Sequence, residues 1–541
     1  MPRIQYDVST LPKDVGPLGY IEGLRLSHKG KPVLDYFGGL PYALPPVGPF
    51  RFRKPRPLAP CYRYGHKGGP GRFNGRTGVC PQPSTKNKSD WDEDCSQLNI
   101  YVPAGAPPAS GWPVLFYIHG GFLQFGNANE KPEAIAPLLS ETAFHCICVM
   151  PAYRLNAFGF LASHELAEEA KKLNEPVGNH GFWDQRLALE WTWKNISLFG
   201  GDHSRITVAG YSAGAHSAFQ QLAHELYFVP DAKAIIKGVI MWSNSPGVQP
   251  KTLDEHQKQF DQLLQALQIP LTLSADEKLQ KLRRTPSSKI VEALDKIKLT
   301  EFRALSDGRF VSHQAMANIN NGDFAKRLKA RGIRLMIGEN RDEHNLYRTW
   351  RTPQDSYHGV LTRLNSDYPE LVAKRVLQHY CKNGILPNSV KNWQYLFGHI
   401  YSDMQVYGLQ RGFQNALFKH GLVAGKDIFR YRFERRMKCI DSIFPPEWGV
   451  THATDMAIWF WGLDYADGLT AQETEMLKSW NQGFAAFVKG ENVDWSTSKP
   501  TDMRRLTADG KTDTWQDDQW EKGLALWNVV NDTPKSEKAR L

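Results

Sequence analysis

Apolar residues along this chain gather in short continuous runs more often than they alternate with polar ones. PVLFYI (113–118), CICVM (146–150), ITVA (206–209), GVIMW (238–242), RLMIG (334–338) and IFRYRF (428–433) each read as a strand. Runs that are apolar on both faces suit parallel strands covered from both sides. Between the second and third runs, residues 183–198 carry a helical pattern. Strand, helix and strand in alternation predict an α/β fold with a large, mostly parallel central sheet flanked by helices.

Residues 252–305 have another texture, polar and helical, with a capping-box start at Ser274 and Glu277 and breakers at Pro270 and Pro286. A similar texture returns over 357–421. Both segments are expected to be helical insertions that cap one end of the sheet and wall a pocket. DDQWEKGLALWNVV (517–530) reads as the last element before a charged tail. The expected organisation is one domain over residues 1–530, with cap insertions near 252–305 and 357–421, and a tail at 531–541.

Composition narrows the class. The 541 residues are 41% hydrophobic and 23% charged, ordinary values for a folded enzyme, and the sixteen tryptophans suit aromatic-lined cavities. No apolar run approaches the ~18 residues of a membrane span. The formal charge is +10, part of it between Arg51 and Lys88. No nucleic-acid-binding signature accompanies that stretch, so it reads as a solvated basic loop and no nucleic-acid partner is expected.

The opening MPRIQYDVST lacks the apolar core of a secretion signal, which predicts an intracellular protein. Ala539-Arg540-Leu541 has the small-basic-leucine form of a peroxisomal address, so the peroxisome and the cytoplasm are both expected sites. Seven cysteines are too few for a disulfide scaffold. Cys146 and Cys148 read as inert core thiols. Cys80 and Cys95 flank a polar loop and are able to bridge in an oxidising compartment. The sequons at Asn87, Asn195 and Asn531 are not read as glycosylation sites.

The chemistry starts at VAGYSAG (208–214). A strand precedes Ser212, and AGAHSAFQQLAHEL, which follows it, has helical composition. Strand, tight turn and helix form the setting of a nucleophile elbow, in which flanking glycines relieve crowding and lift the hydroxyl clear of the sheet. The Ala213 amide then lies in the first helical turn, where it faces any oxyanion formed at that hydroxyl. A serine nucleophile needs a base and the base an orienting acid, each in a loop beyond the carboxyl end of a later strand. RLMIGENRDEHNLY supplies Glu339, Asp342 and Glu343, and EWGVTHATDM supplies His452. Spacing does not choose among the three acids, nor does it exclude His344, which reads as a surface histidine. In YIHGGFLQFG, the pair Gly120 and Gly121 stands where further oxyanion amides are expected.

At this point the chain resembles the type-B carboxylesterase/cholinesterase family of α/β-hydrolases over nearly its whole length. FGGLPYALPPVGPFRF, EDCSQLNIYVP, GNHGFWDQRLALEWTWKNISLFGGD, ITVAGYSAGA, DEHNLY and GVTHATDMAIWFWG occur in the family's order. The resemblance implies Ser212 as nucleophile, Glu343 as acid, His452 as base, and no metal or organic cofactor. It also implies that Cys80 and Cys95 correspond to the family's first disulfide loop.

Three positions depart from the pattern. Phe122 replaces the third small residue of the oxyanion stretch, and its ring is expected to narrow the acyl side of the pocket. Tyr211 stands where many relatives have a glutamate, which weakens any case for a cationic substrate. His344 replaces the glycine after the acid. The implied activity is hydrolysis of small-molecule carboxylic esters through an acyl-enzyme. An acyl-CoA thioesterase or acyltransferase using the same triad, and an inactive binding protein on the same fold, are the alternatives. The oligomeric state is not legible.

Overall fold

The computed structural model describes residues 4–83 and 91–531. Thirteen strands are assigned among them: β1 (Asp7–Asp14), β2 (Tyr20–His28), β3 (Lys31–Pro41), β4 (Gly71–Arg72), β5 (Gln97–Pro103), β6 (Trp112–Ile118), β7 (Ile147–Pro151), β8 (Gly201–Tyr211), β9 (Ile236–Trp242), β10 (Arg334–Asn340), β11 (Ile428–Phe433), β12 (Asp502–Leu506) and β13 (Thr512–Gln516). They form one sheet in the order β1-β2-β3-β5-β7-β6-β8-β9-β10-β11-β12-β13, with β4 beside β2.

From β7 to β12 every neighbouring pair is parallel. This centre holds all six runs read from the sequence. The path from β1 through β5 to β7, and the final β12–β13 pair, are antiparallel, so the whole sheet is mixed. Of those marginal strands, β1 and β13 are largely exposed, while β5 is almost wholly buried but has its apolar run broken by Gln97 and Asn99. In β1 most residues face solvent.

Alternation across the sheet builds two cores. Val114, Phe116 and Ile118 of β6 join Phe182, Leu189 and Leu222 on one face. Leu115 and Tyr117 point the other way, into the group of Ile135, Trp480 and Phe484. The helices His180–Asn195 and Ala213–Phe228 cover the first face, and Pro132–Ser140 and Ala471–Lys489 the second. The helix expected over 183–198 starts three residues earlier, after Asn179 at φ 54°, and continues as a short 3-10 turn over Ile196–Phe199.

Residues 252–305 contain the helices Leu253–Ala266, Ala275–Arg284 and Ser287–Leu294. The capping box at Ser274 is present: Ser274 Oγ accepts from the Glu277 amide at 3.3 Å, and the Ser274 amide donates to the Glu277 carboxylate at 3.0 Å. Boxes of the same kind start at Thr252 and Thr470. Residues 357–421 hold Tyr357–Asp367, Glu370–Tyr380, Trp393–Ser402 and Gly408–Lys419.

The basic stretch is only in part the solvated loop expected of it: Arg63, Lys67, Arg72 and Arg76 are exposed, while others turn inward. Arg51 is 8% exposed and ion-paired with Glu93, and Arg53 pairs with Glu175 at 2.6 Å. Lys86, Asn87, Lys88 and the Ala539-Arg540-Leu541 ending lie outside the described residues, as does all of the expected tail beyond Asn531. Cys80 and Cys95 form a disulfide with Cα atoms 5.4 Å apart, while Cys146 and Cys148 are buried and free. No helix among the described residues is long and apolar enough to cross a membrane.

Candidate active site

Between β8 and the helix Ala213–Phe228 the chain reverses on one residue, Ser212, at φ 57° and ψ −123°. A left-handed φ at a residue with a side chain is strained, and it persists only where its surroundings over-determine it. Here they do. The Ser212 amide donates to the Trp242 carbonyl at 2.9 Å, while the Ser212 carbonyl accepts from Ala215 at 2.9 Å and from His216 at 3.1 Å. The flanking glycines are required by contact. A Cβ on Gly210 would lie 2.1 Å from the Gly214 backbone, and one on Gly214 would lie 2.0 Å from the Ile118 carbonyl oxygen.

Two loops converge on the hydroxyl. His452 Nε2 lies 2.8 Å from Ser212 Oγ, and His452 Nδ1 lies 2.6 Å from Glu343 Oε2. Ser212, Glu343 and His452 are all buried. The other oxygen of the carboxylate, Oε1, accepts the Asn340 amide at 2.9 Å. The Glu343 amide donates to the Tyr407 hydroxyl at 2.9 Å, and that hydroxyl donates to the Asn340 carbonyl at 2.8 Å.

The three acids left open by spacing therefore separate. Only Glu343 reaches the imidazole. Glu339 points into a buried ion cluster with Arg411 at 2.8 Å and Arg432 at 2.5 Å. Asp342 splints the two loops: its amide donates to the Val450 carbonyl at 2.9 Å, and its carboxylate accepts the Val450 amide at 2.8 Å. His344 is away from the serine and half-buried, stacked on His399 with ring centroids 4.4 Å apart, so it is not the surface histidine expected.

The loop after β6 passes directly against the elbow. A Cβ on Gly120 would stand 2.8 Å from the Tyr211 carbonyl and 3.1 Å from Ser212 Cβ, and one on Gly121, at φ +105°, 1.9 Å from the Phe125 carbonyl oxygen. The amides of Gly121, Phe122 and Ala213 donate to no protein acceptor among the described residues. Phe122, at φ 58°, turns its ring onto Trp350, and its carbonyl accepts from Arg303 Nη1 at 2.5 Å.

Around the imidazole, Tyr347 and Asp455 had no sequence signal strong enough to single them out, and Tyr211 stood out only as the residue in place of a glutamate. The Tyr347 hydroxyl lies 3.4 Å from His452 Nε2, and the ring of Tyr211 lies 4.8 Å from the imidazole. Asp455, three residues beyond His452, accepts from Asn340 Nδ2 at 2.9 Å and from Trp459 Nε1 at 3.2 Å. Burial, and then the charge of Glu343, push the Asp455 carboxyl up to about 6. Its place in HATD, three residues after the histidine, was the one available hint.

A cavity of ≈ 80 Å³ opens at Ser212, with Phe122, Leu123, Ala213 and Tyr347 in its walls. Residues from both helical segments, Arg303 and Tyr368 among them, complete it together with Lys251.

Residues 13–525 match the model of the carboxylesterase family. The chain belongs to the carboxylesterase family. It is 56% identical over 522 residues to a carboxylic ester hydrolase of Gibberella moniliformis, covering 96% of each chain. It is 40% identical over 532 residues to an uncharacterized esterase/lipase of Schizosaccharomyces pombe, covering 95% of each. A para-nitrobenzyl esterase of Bacillus subtilis is 26% identical over 520 residues, 90% of this chain and 94% of that one. For a carboxylesterase, the mixed sheet with a parallel centre is the α/β-hydrolase architecture expected from the sequence.

Proposed function

We propose that this carboxylesterase hydrolyses carboxylic esters by acyl transfer, with Ser212 as nucleophile, His452 as general base and Glu343 as the orienting acid. The observation that carries the reading is the continuous chain from Ser212 Oγ through both imidazole nitrogens to Glu343, at 2.8 and 2.6 Å. His452 Nε2 takes the hydroxyl proton as Oγ attacks the ester carbonyl, and the carbonyl oxygen becomes an oxyanion. The amides of Gly121, Phe122 and Ala213, beside Gly120, are positioned to stabilise it. Collapse of the tetrahedral intermediate breaks the bond to the alcohol, which leaves with the proton from His452. Water then attacks the acyl-enzyme with His452 again as base, releasing the acid and restoring Ser212. Glu343 stays ionised and stabilises the imidazolium in both steps.

The test pairs labelling with kinetics. Ser212→Ala should abolish labelling by a fluorophosphonate probe and lower kcat by about three orders of magnitude or more. Labelling that persists in that variant overturns the assignment.

Residues 1–530 are read as a single hydrolase domain whose cap insertions lie near 252–305 and 357–421. The Ala539-Arg540-Leu541 tripeptide supports a peroxisomal address, and a fluorescent fusion ending in these residues that stays diffuse in the cytosol would refute it.

A further inference from the structure

Beside its apolar lining, the pocket at Ser212 carries a group of polar side chains of the kind that orient a ligand. Lys251, Arg303, Asp367, Tyr368, Asn244 and Gln405 all contribute to its wall. Their hydrogen-bonding capacity is lopsided. On the acceptor side, Asp367 Oδ1 receives Arg303 Nε at 2.8 Å and the Tyr401 hydroxyl at 3.0 Å, and Oδ2 receives Arg363. Gln405 Oε1 receives Asn244 Nδ2 at 2.9 Å, and Asn244 Oδ1 receives the Ser245 amide at 2.7 Å. The Tyr368 oxygen receives Gln405 Nε2.

Donors are left over. The Lys251 ammonium has three N–H bonds and uses two, on the carbonyls of Asn365 and Ser366 at 2.7 Å each. Arg303 Nη1 has two and spends one on the Phe122 carbonyl. The Tyr368 hydroxyl hydrogen meets no acceptor among the described residues.

Charge leans the same way. Lys251 is only 6% exposed, and among the described residues no carboxylate lies within ion-pair distance of it. Its two carbonyl partners belong to the last turn of the helix Tyr357–Asp367, whose end supplies about half a negative charge. Glu301 and Asp367 are shared by Arg303 and Arg363, and Arg351, also near Glu301, has Asp295 as a further partner. Asp367, Glu255 and Glu301 act on the Lys251 cation from a distance, and none of them pairs with it. Burial pulls the Lys251 ammonium down to about 8, so it is mostly protonated at neutral pH.

We propose that this wall binds a free carboxylate carried by the substrate, so that half-esters of dicarboxylic acids and other esters with an acid group are the preferred class. The inference rests on Ser212 acting as the esterase nucleophile. A carboxylate brings the acceptors that Lys251, Arg303 and Tyr368 leave unmet. A neutral ester fills the same space and leaves those donors without partners.

The experiment measures kcat/KM for monoethyl succinate, glutarate and adipate, each against the corresponding ethyl ester–primary amide, which is uncharged and of similar size. A second series places the acid on the alcohol side, using O-acetyl hydroxy acids against their amides. At least one acid–amide pair should favour the acid by about tenfold, the value of one charge-assisted hydrogen bond. The ratio should fall towards one in Lys251→Met and by several-fold in Tyr368→Phe. Lys251 also closes a helix end, so if Lys251→Met does not fold, Tyr368→Phe decides. Ratios near one or below throughout both series in the wild-type enzyme overturn the proposal, as does a preference that the deciding variant leaves intact. Loss of all ester cleavage and of fluorophosphonate labelling in the wild-type protein would instead overturn the hydrolase reading beneath it.

Discussion

Phe122 and Trp350 stack nearly face to face, with ring centroids 4.9 Å apart and planes 15° from parallel. Phe122 belongs to the loop proposed here to supply oxyanion amides, while Trp350 follows the helical turn that starts one residue after Glu343. The stack fixes where the oversized residue of the HGGF stretch puts its ring: against the pocket wall beside Ser212.

Phe122→Gly should therefore enlarge the acyl range. It removes the ring from the wall, keeps the backbone amide, and suits a position already at φ 58°. Bulky branched or aryl acyl esters should gain about tenfold or more relative to acetate in kcat/KM, consistent with the pocket terms that discriminate substrate size. Profiling over esters of increasing acyl size checks it, and an unchanged profile would show that the ring does not limit the acyl group.

Glu343→Gln should cost about 10³- to 10⁴-fold in kcat while leaving the fold intact. The Asn340 amide donates to Oε1, so the amide oxygen of a glutamine takes that place and its NH₂ faces His452 Nδ1. The imidazole then carries its proton on Nε2, where it cannot accept from Ser212. Single-turnover kinetics together with a melting curve would test this, and near-normal turnover would argue against Glu343 as the orienting acid.

Acid should destabilise the protein between pH 6.5 and 4. Burial pulls His119, His216 and His256 down to about 4, with Arg303 adding to the effect at His216 and Lys251 at His256. Each is neutral in the fold but takes a proton at about 6.5 when unfolded. Their stabilising contribution is whole above 6.5 and is lost as pH falls towards 4. Melting temperatures at pH 7 and 5 should differ accordingly, and His256→Gln should shrink the difference.

Asp455 works in the opposite direction. Its pKa in the fold, about 6, exceeds the ordinary 3.8, so its contribution is greatest below 3.8 and declines as pH rises through 6. The cost of ionising it at neutral pH is on the order of 3 kcal/mol. Asp455→Asn should flatten this component, so that the stability difference between wild type and variant changes between pH 4 and 7. A difference that stays constant with pH would mean that Asp455 does not titrate in this range.

Much of the catalytic frame could be read from order and local pattern. GYSAG between a strand and a helix, and HGGF after an earlier strand, are short-range features, and the coordinates place them side by side, with Gly120 against Ser212. The antiparallel margins, the Asp455 and Tyr347 contacts to the imidazole environment, and the internal pairing of Arg51 and Arg53 were not legible, because each depends on partners far away in the chain. Arg51 meets Glu93 across 42 residues, and Arg53 meets Glu175 across 122.

The α/β alternation, the elbow serine and a short roster of acids and histidines follow from the order of residues alone, since apolar periodicity and turn glycines act within a few residues. Which members of that roster meet is set by the folding of distant segments onto one another. The contact between Ser212 and His452 spans 240 residues and that between Glu343 and His452 spans 109. The same folding gathers the surplus donors of Lys251, Arg303 and Tyr368 on one pocket wall. Hydrogen bonding and ion pairing act over a few ångströms, and which groups come that close is set by packing of the two cores around the sheet.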